Sequence, residues 1–319
     1  MVDTDSSTLA AAIRRGERRA IARAITLAEN DRSAMRALAP GLSAGLGRAR
    51  RIGLTGPPGA GKSTLTMRLA ARLGTLGNSV AVIAIDPSSP YSHGALLGDR
   101  IRMAAVAGDE RVFIRSMANR GTLGGLAAAS ADAADIFDAA GYQYILIETV
   151  GVGQSEIEIA RATDCTIVVV TPESGDEVQA AKAGLLEIAD LLVVNKADRP
   201  ASDAMVATLQ SMLDGRRQDL APQAWLPQLL STVATDDRGT DRLCDAIERH
   251  QAHQQQTGLL AERRLQRICR RLESATNSLL VERFWSSERR ARLDRLAIDI
   301  AAGHRDIAGA IETITGDNE

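Results

Sequence analysis

The chain has 319 residues, 45% of them hydrophobic and 24% charged, the balance of an ordinary soluble protein with length for one large domain and helical additions. With 38 Lys and Arg against 40 Asp and Glu, the net charge of -2 gives no electrostatic reason to expect nucleic acid or a membrane surface as partner. No apolar run is long enough to span a bilayer, and MVDTDSSTLA lacks the basic-then-apolar order of a signal peptide, so a cytoplasmic protein is expected.

From the N-terminus, LAAAIRRGERRAIARAITLAE (residues 9–29) carries apolar positions at helical period, broken at Gly16, and reads as two amphipathic helices. The arginines among them, with Arg48, Arg50 and Arg51, read as a solvated face. Pro40, Gly41, Gly45 and Gly47 then mark a linker, which sets residues 1–47 apart as a helical extension. From residue 51, short apolar runs alternate with helical ones, the signature of an α/β fold with a doubly wound, mainly parallel sheet. The strands read as 52–55, 80–85, 112–114, 144–147, 166–170, 191–194 and 229–233, and loops at their carboxyl ends are where chemistry is expected. This central domain is expected to span 48–250. HQAHQQQ (250–256) reads as a solvated polar linker, and 251–319 as a helical C-terminal region whose apolar positions (Leu265, Ile268, Leu272, Leu279, Leu280, Phe284, Trp285) exceed what a small helical pair can hide.

After the first strand comes Gly56-Pro57-Pro58-Gly59-Ala60-Gly61-Lys62-Ser63, followed by a helix opening at Thr64. The spacing is that of a phosphate-binding loop: glycines let backbone N–H groups face phosphate oxygens, the Lys reaches the terminal phosphates, and the Ser hydroxyl ligates Mg²⁺. The helix adds its positive amino end. Asp86, at the end of the second strand, and Asp99, in the Gly98-Asp99-Arg100 loop, are carboxylates within reach of such a metal. The fourth strand ends in Glu148, and Gly151 follows three residues later. An acid holding a metal-bound water, then a Gly whose backbone approaches the γ-phosphate, is the Walker B and switch arrangement. Asn195-Lys196-Ala197-Asp198 closes the sixth strand and reads the base: the Asp carboxylate accepts from N1–H and the 2-amino group of guanine, donors that adenine lacks. Thr232, Val233 and Ala234, at the end of the last strand, are expected to give a backbone N–H to the guanine carbonyl. The loop 171–182 is placed to sense the nucleotide. Cys165, Cys244 and Cys269 lie far apart in a chain with four His and read as free thiols, not a zinc or nickel cluster.

Together GERRAIARAITLAEN, GLTGPPGAGKSTL, IAIDPSSP, GALLGDRIRM, RSMANRGTLGGLA, ILIETVGVGQSE, SGDEVQAAKAG and VNKAD resemble the MeaB/ArgK family of P-loop GTPases over nearly the whole chain. The resemblance implies catalytic roles for Lys62, Asp86, Asp99 and Glu148, Mg²⁺ held by Ser63 and those acids, GTP or GDP in the 56–64 loop with Asn195, Lys196 and Asp198 on the base, and Gln179 and Lys182 in an extra switch facing a client. It further implies a G-protein chaperone of an adenosylcobalamin-dependent acyl-CoA mutase, most often methylmalonyl-CoA mutase, that gates cofactor loading. Members are homodimers joined through their C-terminal helices. The alternatives are an ATP-dependent kinase of a transport protein, against which Asn195 to Asp198 argues, and a metal-delivery GTPase, against which the sparse Cys and His argue.

Overall fold

A computed structural model describes residues 2–87, 110–119, 125–149, 155–174, 187–219, 221 and 224–316. Seven strands form one sheet: β1 (Arg50–Thr55), β2 (Val80–Pro87), β3 (Val112–Asn119), β4 (Tyr144–Glu148), β5 (Cys165–Val170), β6 (Leu191–Val194) and β7 (Gln228–Ser231). Their order is β3-β2-β4-β1-β5-β6-β7, every pairing parallel, so all seven expected strands are present and the mainly parallel sheet is wholly so. Strands such as CTIVVV are buried along their length, as expected for a sheet covered on both faces.

On one face α1 (Val2–Arg14), α2 (Arg18–Asn30), α3 (Arg32–Leu42) and α5 (Gly125–Ala139) bury Ile13, Ile21, Ile25, Leu38 and Phe137 with Ile83 and Ile145 of the sheet. The other face receives α4 (Lys62–Thr75) and α8 (Thr240–Thr257), whose Leu65, Leu69, Leu243 and Ile247 pack with Leu54, Leu146 and Ile167. Packed with β5 and β6 is α7 (Ser202–Asp219), through Leu209 and Leu213. Between β4 and β5 lies α6 (Ser155–Ala162), and α9 (Leu259–Phe284), α10 (Ser287–Ala301) and α11 (Ile307–Thr315) close the chain. None of the helices among the described residues is long and apolar enough to cross a membrane.

Three readings of the sequence are corrected. The two helices read over 9–29 are α1 and α2, but Pro40 and Gly41 do not open a linker: they lie in a third helix, α3, which Asp31 caps by accepting from Ser33 N and Ala34 N at 2.9 and 3.0 Å and which the buried stripe Met35, Leu38, Leu42 carries through Pro40. HQAHQQQ continues α8 and is no solvated linker, because His250, 1% exposed, and Gln254 face the protein. Arg51 is 5% exposed, its guanidinium 2.7 Å from Asp135 and 3.3 Å from Asp138. The chain divides into two compact units, residues 1–265 and 266–319. The first therefore takes in the N-terminal helices, all of α8 and the start of α9. Within the second, Leu296, Ala310 and Ile314 form a small core with Phe284, Trp285 and Ile300.

Candidate functional site

The loop between β1 and α4 leaves the carboxyl end of the strand flanked by β4 and β5, the middle of the sheet. Its tight course depends on two glycines. Gly56 has φ +136°, and a Cβ there would meet Val169 O at 2.0 Å; Gly61 has φ +82°, and a Cβ would meet Asn195 Nδ2 at 2.4 Å. No L side chain fits either position without moving backbone or the Asn. The ammonium of Lys62 donates to the carbonyls of Gly56 and Pro57 at 2.8 and 2.9 Å, which places its charge over the loop. Ser63 and Thr64 stand in the first turn of α4.

Glu148 ends β4 beside β1, and its register partners are Leu54 and Ala84. Ser63 Oγ donates to Glu148 Oε1 at 2.5 Å, so a hydroxyl and a carboxylate meet at the mouth of the loop. Asp86 lies two residues beyond Ala84 in β2, on the next strand of the same edge. Asp99, Gly151, Gln179 and Lys182 lie outside the described residues.

Asn195 joins the loop to the last strand's turn. Its Nδ2 donates to Ala60 O at 2.9 Å, while its Oδ1 accepts from Thr232 Oγ1 at 3.0 Å and Ala234 N at 3.2 Å. Lys196 takes the left-handed φ of +56° and pairs with Glu173 at 3.1 Å, and Asp198 is exposed. The amides of Thr232, Val233 and Ala234, expected to face a base, are each engaged within the protein: Thr232 N is bonded to Val194 O, Val233 N to Arg238 O, and Ala234 N to Asn195. These amides hold the turn together. Arg68 of α4, which no sequence motif marks, grips the same turn at Ala234 O (3.0 Å) and Thr235 O (2.7 Å).

At the opposite, amino ends of the strands lies a polar cluster. Asp190 Oδ1 accepts from His250 Nε2 at 3.2 Å and Arg263 Nη2 at 2.7 Å, and its Oδ2 from Thr166 N at 2.9 Å and Arg263 Nη1 at 2.8 Å. Burial alone would raise its pKa, but hydrogen bonds and charge from His250 and Arg263 pull it down to about 2. Cys165, Asp190 and His250 each bring one potential ligand atom within 4.8 Å of the others. They do not suit a metal. Both carboxylate oxygens are filled, and a cation would have to displace the guanidinium. Burial also pushes the Cys165 thiol well above its ordinary pKa, away from the thiolate that a metal takes.

The model of the family described as methylmalonyl-CoA mutase-associated GTPase MeaB matches residues 21–289. The chain belongs to the MeaB family. It is 43% identical over 284 residues to a Pyrococcus abyssi protein with a provisional GTPase name, covering 89% of this chain and 88% of that one. It is 37% identical over 293 residues to the GTPase ArgK of Escherichia coli, covering 89% and 88%. With the mouse mitochondrial methylmalonic aciduria type A homolog it shares 35% identity over 268 residues, covering 78% of this chain and 64% of the homolog. Among solved structures, that of an LAO/AO transport system kinase is similar with a TM-score of 0.70 and 28% identity, covering 98% and 97%. This MeaB-family chain is a P-loop GTP hydrolase.

Proposed function

We propose that this MeaB-family GTPase is the G-protein chaperone of an adenosylcobalamin-dependent acyl-CoA mutase, with methylmalonyl-CoA mutase the first candidate, and that GTP hydrolysis resets a switch that gates cofactor loading. The match of residues 21–289 to a family named for association with that mutase carries the reading. In it the 56–64 loop cradles the phosphates, Lys62 faces the terminal ones, and Asn195, Lys196 and Asp198 read guanine. The hard oxygen donors Ser63 and Glu148, 2.5 Å apart, fit Mg²⁺, with Asp86 and Asp99 as further carboxylates toward the metal and its waters. Bound there, Mg²⁺ would neutralise charge on the phosphate oxygens. Glu148 would hold a metal-bound water, and the Walker B and switch pattern assigns Gly151 to the γ-phosphate.

Intrinsic hydrolysis is expected to be slow, because no sequence motif assigns an Arg to the γ-phosphate, and GTPases without such a cation turn over slowly until a partner completes the site. Adding purified mutase should raise GTP turnover at least about tenfold, a small share of the ~10³–10⁵ that ordering partners supply in other GTPases. An unchanged rate sinks the chaperone reading. The similarity to a protein named as a transport system kinase favours a second reading, phosphorylation of a transport protein; ATP displacing bound GDP at comparable concentration would select it.

The homodimer belongs to the same proposal. Leu265, Ile268 and Leu272 recur at helical spacing on α9 and are exposed, Leu272 by 67%, an apolar stripe that a second copy would cover. Sedimentation at micromolar concentration should give a dimer for the native chain and a monomer for Ile268→Asp combined with Leu272→Asp. A native monomer rejects the dimer.

A further inference from the structure

The first turn of α4 carries Lys62 and Ser63, and less than two turns later the same helix carries Arg68. Across 166 and 167 residues of sequence, Arg68 Nε donates to Ala234 O at 3.0 Å and Nη2 to Thr235 O at 2.7 Å. Two donors of one rigid, planar fork therefore fix two successive peptide groups. The turn they hold is also pinned from the sheet side. Val233 and Arg238 exchange backbone bonds of 3.0 and 3.2 Å, Thr232 N reaches Val194 O at 2.9 Å, and Ala234 N reaches Asn195 Oδ1 at 3.2 Å.

The amides of 232, 233 and 234 are consumed in this bracing, so the first backbone donor beyond them is Thr235 N–H. That N–H shares one planar trans peptide with the Ala234 carbonyl, and in such a group N–H and C=O point in opposite directions. Whatever holds the Ala234 carbonyl therefore aims the Thr235 N–H. Arg68 holds it toward α4, which turns the N–H away from the helix. A cation on the carbonyl also polarises the peptide and makes the N–H a better donor.

We propose that Arg68 is a positioning residue for base recognition: it aims Thr235 N–H at the carbonyl oxygen on C6 of the purine, and through α4 ties that contact to the phosphate loop. The assignment rests on the guanine reading above and deepens it. It divides the base between two devices, Asp198 for the ring N1–H and 2-amino edge, and the Arg68-held peptide for the C6 carbonyl.

Calorimetric titration of the full chain with GDP, IDP and ADP tests this. GDP and IDP both carry the C6 carbonyl and differ only in the 2-amino group, while ADP has an amine at C6. Arg68→Met should weaken GDP and IDP by the same factor of about ten and leave ADP where it was, so that discrimination against adenine falls tenfold while the GDP to IDP ratio is unchanged. Arg68→Lys, with one donor centre able to reach Ala234 O, should recover most of the loss. Arg68 is exposed, so truncating it opens no cavity, and circular dichroism of each variant, with Arg68→Gln as a second truncation, reports folding separately. A lower melting temperature with native discrimination would make Arg68 merely structural and overturn the proposal, as would a selective loss of GDP over IDP. A native chain that fails to prefer GDP over ADP would instead remove the guanine reading, and the proposal with it.

Discussion

Replacing Asp198 by Asn should move the base preference of this GTPase from guanine to xanthine. A carboxylate accepts from both N1–H and the 2-amino group; an amide offers one acceptor and a donor that meets the amino group head-on. Losing a charge-assisted pair and facing like donors should cost about 3–4 kcal/mol, or ~10²–10³ in GTP affinity. Xanthine carries a carbonyl where guanine carries the amine, so the Asn amide that repels guanine donates to it. Competition of GTP and XTP for the Asp198→Asn protein reads the outcome directly. Weakened binding of both nucleotides, with no gain for XTP, would mean that Asp198 does not face the base. The position supports the test, since Asp198 is exposed beside Asn195, whose amide reaches the phosphate loop at Ala60 O.

The second large effect is expected on stability. Asp190→Ala should destabilise the first compact unit by about 3–5 kcal/mol, because it leaves Arg263 and the buried His250 without their common partner. For a unit of this size that is a fall of roughly 10 °C in melting temperature. Hydrolysis per folded molecule should be native at low temperature. Cys165 and Val170 are the two ends of β5, and five strand steps of ~3.3 Å place the cluster about 16 Å from the loops that carry the nucleotide site. The pH dependence has a defined sign. The folded Asp190 carboxyl titrates at about 2, below the ~3.9 of an unfolded Asp, so its contribution is complete above about pH 4 and is lost as pH falls toward 2. Acid titration followed by circular dichroism should show a shallower loss of stability across that window in Asp190→Ala than in the native chain. Equal slopes would deny Asp190 that role.

These two residues also divide what was legible from what was not. Asp198 could be singled out in the sequence as the proposed base reader because that role needs a fixed local spacing, Asn-Lys-x-Asp after an apolar strand. Asp190, eight residues earlier, carries no such mark. Its partners Thr166, His250 and Arg263 come from separate elements and meet only because β5, β6, α8 and the start of α9 pack together. HQAHQQQ looked like a linker for the same reason. Polar composition says nothing of a carboxylate waiting in the fold to receive His250. The N-terminal helices were legible as helices from their 3.6-residue period, but the cap at Asp31 was hidden beside it. Arg68 was unmarked because its partners are backbone carbonyls, which every sequence has.

By itself, then, the sequence determined the class of fold, the seven strands and the phosphate loop, and marked the segment proposed to read the base. Each of these is written in short-range pattern: apolar runs of strand length, helical period, and glycines where a side chain would strike backbone. Only the tertiary structure decided how those segments are held in register with one another. It showed Asn195 as the bridge from loop to turn, the amides of 232–234 as bracing, Arg68 as the grip on the turn from α4, and the Asp190 cluster as the clasp at the far end of the sheet. The contacts made by Asn195 and Arg68 join residues from 37 to 167 positions apart, with the bridge from Asn195 to Ala60 at 135. At such separations the energy of a contact depends on burial and direction, which the chain acquires only when the sheet closes its layers.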